Sequence, residues 1–112
     1  MKHFKLFNAT DAGSSVNSVA MPLGDLNRYS IEVEFAGAGN LNGTLSLEAK
    51  INEASSWKTI TGSSQAVVNS ANHLWSVSDG EYDLVRVAWS YTSGTGSMSS
   101  YGIVKENRTK EG

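Results

Sequence analysis

Residues 83–106 read DLVRVAWSYTSGTGSMSSYGIVKE and decide the fold class. In the first part of this stretch Val85, Val87 and Trp89 alternate with short or polar side chains. Successive side chains of a strand point to opposite faces of a sheet, so this period of two predicts a strand with one buried and one solvated face. Residues 92–97, which are Thr, Ser and Gly, predict a hairpin loop because glycine adopts the backbone angles of tight turns.

The same period of two recurs along the chain, and no segment of eleven or more residues keeps the apolar spacing of a helix. Glycine and asparagine separate the runs, and the sole proline, Pro22, favours an edge strand. The pattern predicts an all-β chain, an antiparallel β-sandwich or jelly roll of about eight strands. The predicted strands cover residues 3–7, 16–23, 29–35, 45–51, 57–61, 65–69, 74–77, 83–91 and 98–104.

Length and charge narrow the class of protein. A chain of 112 residues is the size of one domain, predicted to span residues 1–105, with a polar C-terminal tail at 106–112. The net charge is -2 without clustered Lys or Arg, so nucleic acid is not an expected partner. No apolar run approaches a membrane span or a signal peptide, so we expect no membrane partner and synthesis in the cytoplasm.

Residues that could hold a metal or a cofactor are few. The chain has no cysteine, and its two histidines, His3 and His73, have no ligand-type neighbour at regular spacing. The sequence therefore predicts neither a metal site nor a cofactor.

Carboxylates are the remaining candidates for catalysis. Three glutamates on the predicted strands could act as acid and base if two of them faced each other. The simpler interpretation is that they form cross-strand ion pairs with Arg86 and Lys50. A small hydrolase stays open as an interpretation, but we expect no enzymatic activity. The three glutamates are Glu32, Glu34 and Glu48.

The tryptophans have two interpretations. Trp75 and Trp89 share their phase with buried valines, which predicts core positions. Trp57 follows a loop at the start of a predicted strand, where one ring face could stay exposed. Core packing is favoured for all three, and an exposed Trp57 is the candidate ligand-binding residue of the alternative function, a carbohydrate-binding module.

The order of strands, loops and aromatic residues over residues 28–105 resembles that of small β-sandwich virion proteins of bacteriophages. The resemblance implies a non-enzymatic virion structural protein, most simply a capsid decoration or other accessory subunit. It implies a capsid protein or other virion proteins as partners, a homo-oligomer, a place in the virion, and synthesis in the host cytoplasm. It rests on residues 29–35, a Gly-Asn loop, and residues 43–47, 57–60, 74–75, 82–91 and 103–105.

The two ends of the chain are the candidate assembly contacts. Apolar side chains near the start could pack on a neighbouring subunit, or the first strand could extend a neighbour's sheet. Polar side chains of the tail could contact the particle. The alternative is that both ends fold back on their own domain. The candidates are Phe4, Leu6 and Phe7 at the start, and Asn107, Arg108 and Lys110 in the tail.

Overall fold

The computed structural model describes residues 2–24, 26–78 and 82–105. These residues form one curled antiparallel sheet and no helix, which confirms the all-β class. Among them, accordingly, there is no helix long and apolar enough to cross a membrane. The strands are β1 (Lys2–Asp11), β2 (Val16–Asn17), β3 (Met21–Pro22), β4 (Arg28–Lys50), β5 (Lys58–Thr59), β6 (Gln65–Val67), β7 (His73–Val77) and β8 (Leu84–Lys105).

Two long strands form the centre of the sheet. β4 and β8 pair from Arg28↔Lys105 at one end to Lys50↔Leu84 at the other. The predicted hairpin loop at residues 92–97 is therefore wrong, and so is the predicted Gly-Asn loop, which is Gly39-Asn40. These two irregular segments lie opposite each other, so each continues a strand by pairing with the other instead of closing a turn of its own.

The glycines of these segments bend the strands. The β4–β8 register shifts three times between Ala36 and Gly43. Gly94 has a φ of 97°, and a side chain there would collide with the backbone of Asn40, so only glycine fits. The Asn42 amide donates to the Asn40 carbonyl at 2.8 Å and to the Ser93 hydroxyl at 3.2 Å. The bend is thus a sequence of β-bulges held by polar contacts.

The bend divides the sheet into two halves. The β1 half contains residues 28–36 and 97–105, with β1 paired to β8 and β7 paired to β4. The β5 half contains residues 43–50 and 84–91, with β2 and β3 paired to β8, and β5 and β6 paired to β4. Each half is therefore built on one end of the same two strands.

The inner faces of both halves share one core. The predicted alternation is confirmed on both long strands, where the inward residues Ile31, Leu45 and Val87 are fully buried. The rings of Phe35 and Trp89, one from each half, lie 5.4 Å apart. Met21 of the β5 half touches the backbone at Gly102 of the β1 half closely enough that an added side chain would collide with it. The core thus holds the curl closed.

The shorter strands differ from their predicted extents. The single strand predicted at residues 16–23 is divided into β2 and β3, and Pro22 ends β3 at the side of β8, an edge position among the described residues. The strand predicted at 57–61 contracts to β5. Ile51, the last residue of the strand predicted at 45–51, is 72% exposed because β4 ends one residue earlier.

Candidate functional site

The outer face of the β1 half carries one row of side chains across four strands. The pairing register aligns Leu74 of β7, Glu32 of β4, Tyr101 of β8 and Lys5 of β1. These side chains point away from the core, since the residues beside them along each strand point inward. The next row consists of Ser76, Ser30, Ile103 and His3.

The centre of this face is apolar and exposed. Leu74 is 64% exposed and Tyr101 is 40% exposed, although both lie in regular strands. With Ile103 they line a shallow cleft of about 180 Å³. The short side chain of Ser30 leaves this space among the larger ones, and its hydroxyl lies 3.3 Å from that of Ser76. An exposed apolar cluster on the face of a sheet is typical of a contact surface.

Charges of opposite sign flank the apolar centre. Glu32 and Glu34 lie on β4, on one side of Tyr101, and Lys5 lies on β1, on the other side. The Lys5 ammonium is 5.6 Å from the centroid of the Tyr101 ring, within range of a cation–π interaction. The face therefore has an acidic side, an apolar middle and a basic side.

The outer face of the β5 half is organised differently. Arg86 donates to the Glu48 carboxylate from Nε at 2.8 Å and forms an ion pair with it from its terminal nitrogen at 2.7 Å. This confirms the cross-strand pairing predicted for Glu48. The Arg86 guanidinium also stacks over the Trp57 ring at 4.2 Å, and the Lys50 ammonium lies 5.0 Å from the same ring. The charges of this face are thus satisfied within the chain.

The three tryptophans are not equivalent. Trp75 and Trp89 are buried, as predicted, and each indole donates to a backbone carbonyl, that of Ser63 at 3.0 Å and that of Ala12 at 2.9 Å. Trp57 is only partly buried and stands outside the core, so its predicted core position is wrong. The Arg86 guanidinium thus already occupies one stacking position on the Trp57 ring.

A larger cleft of about 320 Å³ lies beside β5 in the β5 half. Its titratable lining residues are Lys58 and Tyr82, and the rest of the lining is apolar or hydroxylic. The lining holds no carboxylate and no imidazole, so acid–base chemistry in this cleft would have to use Lys58 and Tyr82.

The histidines lie apart. His3 is exposed on β1, whereas the His73 ring packs edge-on against Trp75 at 4.6 Å, and its burial lowers the pKa of His73. Across the described ranges, no group of three or more His, Asp or Glu residues lies close enough together to share a metal ion.

The predicted assembly contacts at the start of the chain lie in β1. Leu6 and Phe7 are buried at 4% and 3% exposure in the chain's own core, and Phe4 packs partly buried against it. The tail candidates Asn107, Arg108 and Lys110 lie outside the described residues. Contact of either end with another subunit stays a prediction.

Sequence reasoning missed the apolar cluster of the β1 half. Leu74 is out of phase with Trp75 and Val77, which was a usable signal. The pattern around Tyr101 and Ile103 was misleading. The inward residues next to them include Ser100 and Gly102, which look less suited to a core than Tyr101 and Ile103 themselves.

The comparisons with known proteins concern the fold. No protein-family model matches the sequence, and no curated protein matches it. The crystal structure of the SPBc2 prophage-derived protein YomS is similar, with a TM-score of 0.60 and 16% identity over 92% of each chain. That of PirA gives a TM-score of 0.55 and 17% identity over 91% of this chain and 92% of that chain. At these identities the likeness shows a shared fold.

Proposed function

We propose that this protein is a non-enzymatic structural component of a bacteriophage particle, most simply a capsid decoration or accessory subunit that acts through protein–protein contacts. Its partner is then a capsid protein or another virion protein, and its place is the virion, after synthesis in the host cytoplasm. The similarity of its fold to a prophage-derived protein supports the phage origin.

The observation that carries the proposal is the exposed apolar cluster of the β1 half. Leu74, Tyr101 and Ile103 lie on the regular part of a four-stranded sheet, where the backbone is hydrogen-bonded on both sides of β4 and β8. Such a surface is preorganised, so binding through it orders little backbone and retains most of the free energy of apolar burial.

Trp57 bears on the carbohydrate-binding alternative. The stacking of Arg86 on Trp57 favours protein contacts over the carbohydrate-binding alternative. We also propose that the two halves of the curled sheet function as the layers of a small β-sandwich, with their shared core between them.

Replacing Leu74 with Glu tests the proposal. Leu74 is 64% exposed, so the variant should fold, with a melting temperature lowered by only a few degrees because the new carboxylate lies opposite Glu32. It should lose its place on the particle, because a charge would be desolvated in the contact. The matched control is Val68→Glu, since Val68 is 61% exposed and lies outside this face.

The measurement is the amount of each tagged variant in purified virions from the genome that encodes the chain. Normal incorporation of Leu74→Glu would contradict the proposal. Equal loss with Val68→Glu would show that the face is not specific. Binding of the wild type to a glycan array, abolished by Trp57→Ala, would favour the carbohydrate-binding alternative instead.

Deleting residues 106–112 tests the predicted tail contact. The segment has no large apolar side chain, so its removal should change the free energy of unfolding by no more than about 0.5 kcal/mol. We expect the shortened protein to be folded and soluble but depleted from purified virions. Full occupancy would mean that Asn107, Arg108 and Lys110 make no essential contact.

A further inference from the structure

We infer that the outer face of the β1 half binds a second copy of this chain in a two-fold symmetric pair. The inference names the partner of the proposed contact surface, and it rests on the proposed function for the use of that surface in assembly. The order of charges across the strands supports this pairing.

The order of side chains across the sheet makes the face complementary to itself. Tyr101 and Ile103 form an apolar column on β8, with Glu32 on the neighbouring β4 and Lys5 on the neighbouring β1. Adjacent strands lie about 4.8 Å apart, so the carboxylate and the ammonium originate at similar distances on opposite sides of the column. A two-fold axis along β8 therefore exchanges the acidic side with the basic side.

In the resulting pair, Tyr101 and Ile103 face the same residues of the second copy. Glu32 of each copy faces Lys5 of the other, so each contact contains two equivalent ion pairs. In the second row, Ser30 faces His3 across the interface. Sheets that pack face to face cross at about 30°, which moves apart the strand ends where the like-charged Lys105 residues lie.

Within one chain the same charges cannot satisfy each other directly. β8 lies between β4 and β1, which places the backbones of Glu32 and Lys5 roughly 10 Å apart. Lys5 leans over Tyr101 and so already lies near the middle of the face. A second copy would place a Lys5 ammonium opposite Glu32 and a Glu32 carboxylate opposite Lys5.

The size of the face sets the strength of the pair. Around an axis along β8, three strands of each copy overlap, because β7 lies beyond the β1 strand of the other copy. Three strands and about seven residues of length give on the order of 300 Å² per copy, less than half of the roughly 800 Å² of a standard interface. The isolated pair should therefore be weak, with a Kd in the micromolar range or above, and become effective where a particle presents many copies together.

Charge reversal followed by mixing provides the test. In the pair, Lys5→Glu places a second acid against Glu32, and Glu32→Lys places a second base against Lys5, so each variant should self-associate at least about tenfold more weakly than the wild type. An equimolar mixture of the two should recover association, because every acidic position then faces a basic one. The double variant should also pair with itself.

Sedimentation over a range of concentrations up to roughly 1 mM, at low and high salt, measures these constants. The matched controls are Lys58→Glu and Glu53→Lys, exposed reversals in and beside the β5 half that should leave the Kd unchanged. A wild type that stays monomeric, single reversals without effect, or a mixture that fails to associate would each overturn the pairing.

The virion assay separates this inference from the proposed function. Loss of Leu74→Glu from virions together with a monomeric wild type would overturn the self-pairing but support the contact surface. Charge-dependent pairing without incorporation of the wild type into virions would support the pairing and overturn the proposed function.

Discussion

The β1 half and the β5 half are built on the two ends of the same strands, yet their outer faces differ in how charge is satisfied. In the β5 half, Glu48 and Arg86 are directly opposite in the register and form an ion pair over Trp57. In the β1 half, Glu32 and Lys5 are separated by β8 and by the exposed ring of Tyr101. Opposite charges on adjacent strands satisfy each other in the β5 half. In the β1 half they are one strand farther apart, which suits that face to a partner.

The largest expected effect concerns the contact that joins the halves. Replacing Trp89 with Ala removes the ring that meets Phe35 and the hydrogen bond to the Ala12 carbonyl, at a site 2% exposed. We expect a loss of about 3–5 kcal/mol in the free energy of unfolding, measured by denaturant titration.

Trp57→Ala is the control for that experiment. Its ring is partly exposed and lies outside the core, so its removal should cost about 1 kcal/mol or less. Similar losses for the two variants would mean that the halves do not depend on a shared core.

An intermediate effect is expected from glycine substitutions in the two halves. A methyl group at Gly43 would lie 2.6 Å from the Trp89 ring and would also meet the Ser90 carbonyl, so Gly43→Ala should cost about 2 kcal/mol. At Gly102 the nearest atom is the Met21 sulfur at 2.7 Å, and a flexible thioether can move, so the cost should be about 1 kcal/mol. Thermal unfolding of both variants checks this order, and a larger loss for Gly102→Ala would reverse it.

The smallest effect at neutral pH is expected for Tyr29→Phe. Burial, together with the nearby Tyr82, raises the pKa of the Tyr29 phenol above its ordinary value of about 10. Among the described residues, the hydroxyl has no hydrogen-bond partner, so its removal should leave stability at pH 7 unchanged or slightly raised.

The pH dependence gives the second measurement on this variant. The folded state holds the phenolic proton of Tyr29 more tightly than the unfolded state. The contribution of this group to the free energy of unfolding is therefore complete below pH 10 and declines as the pH rises further. Chemical unfolding at pH 8–11 should show a steeper alkaline loss for the wild type than for Tyr29→Phe. Parallel curves would place the alkaline transition on other groups.

Sequence periodicity was a reliable guide wherever burial alternates strictly. The inward phase of residues 29–35, 45–49 and 85–91 follows from the sequence, because a one-residue slip would turn every apolar side chain to solvent. The ion pair of Glu48 with Arg86 also follows, since both residues occupy the solvated phase of strong strands. The outer cluster was missed because Ser100 and Gly102 occupy inward positions usually filled by larger side chains.

What the sequence by itself determined is local: the period of two, the absence of helix, the buried phase of each strong run, and the lack of cysteine and of ligand spacing. Only the tertiary structure decided which irregular segments form turns and which continue a strand. Residues 92–97 and 36–43 both favour turns in isolation, but each lies opposite the other, and their mutual pairing converts two expected loops into one bent ribbon. The register that results places Glu32, Tyr101 and Lys5 in one row. No local propensity encodes that row, because it depends on backbone pairing between residues far apart in the chain.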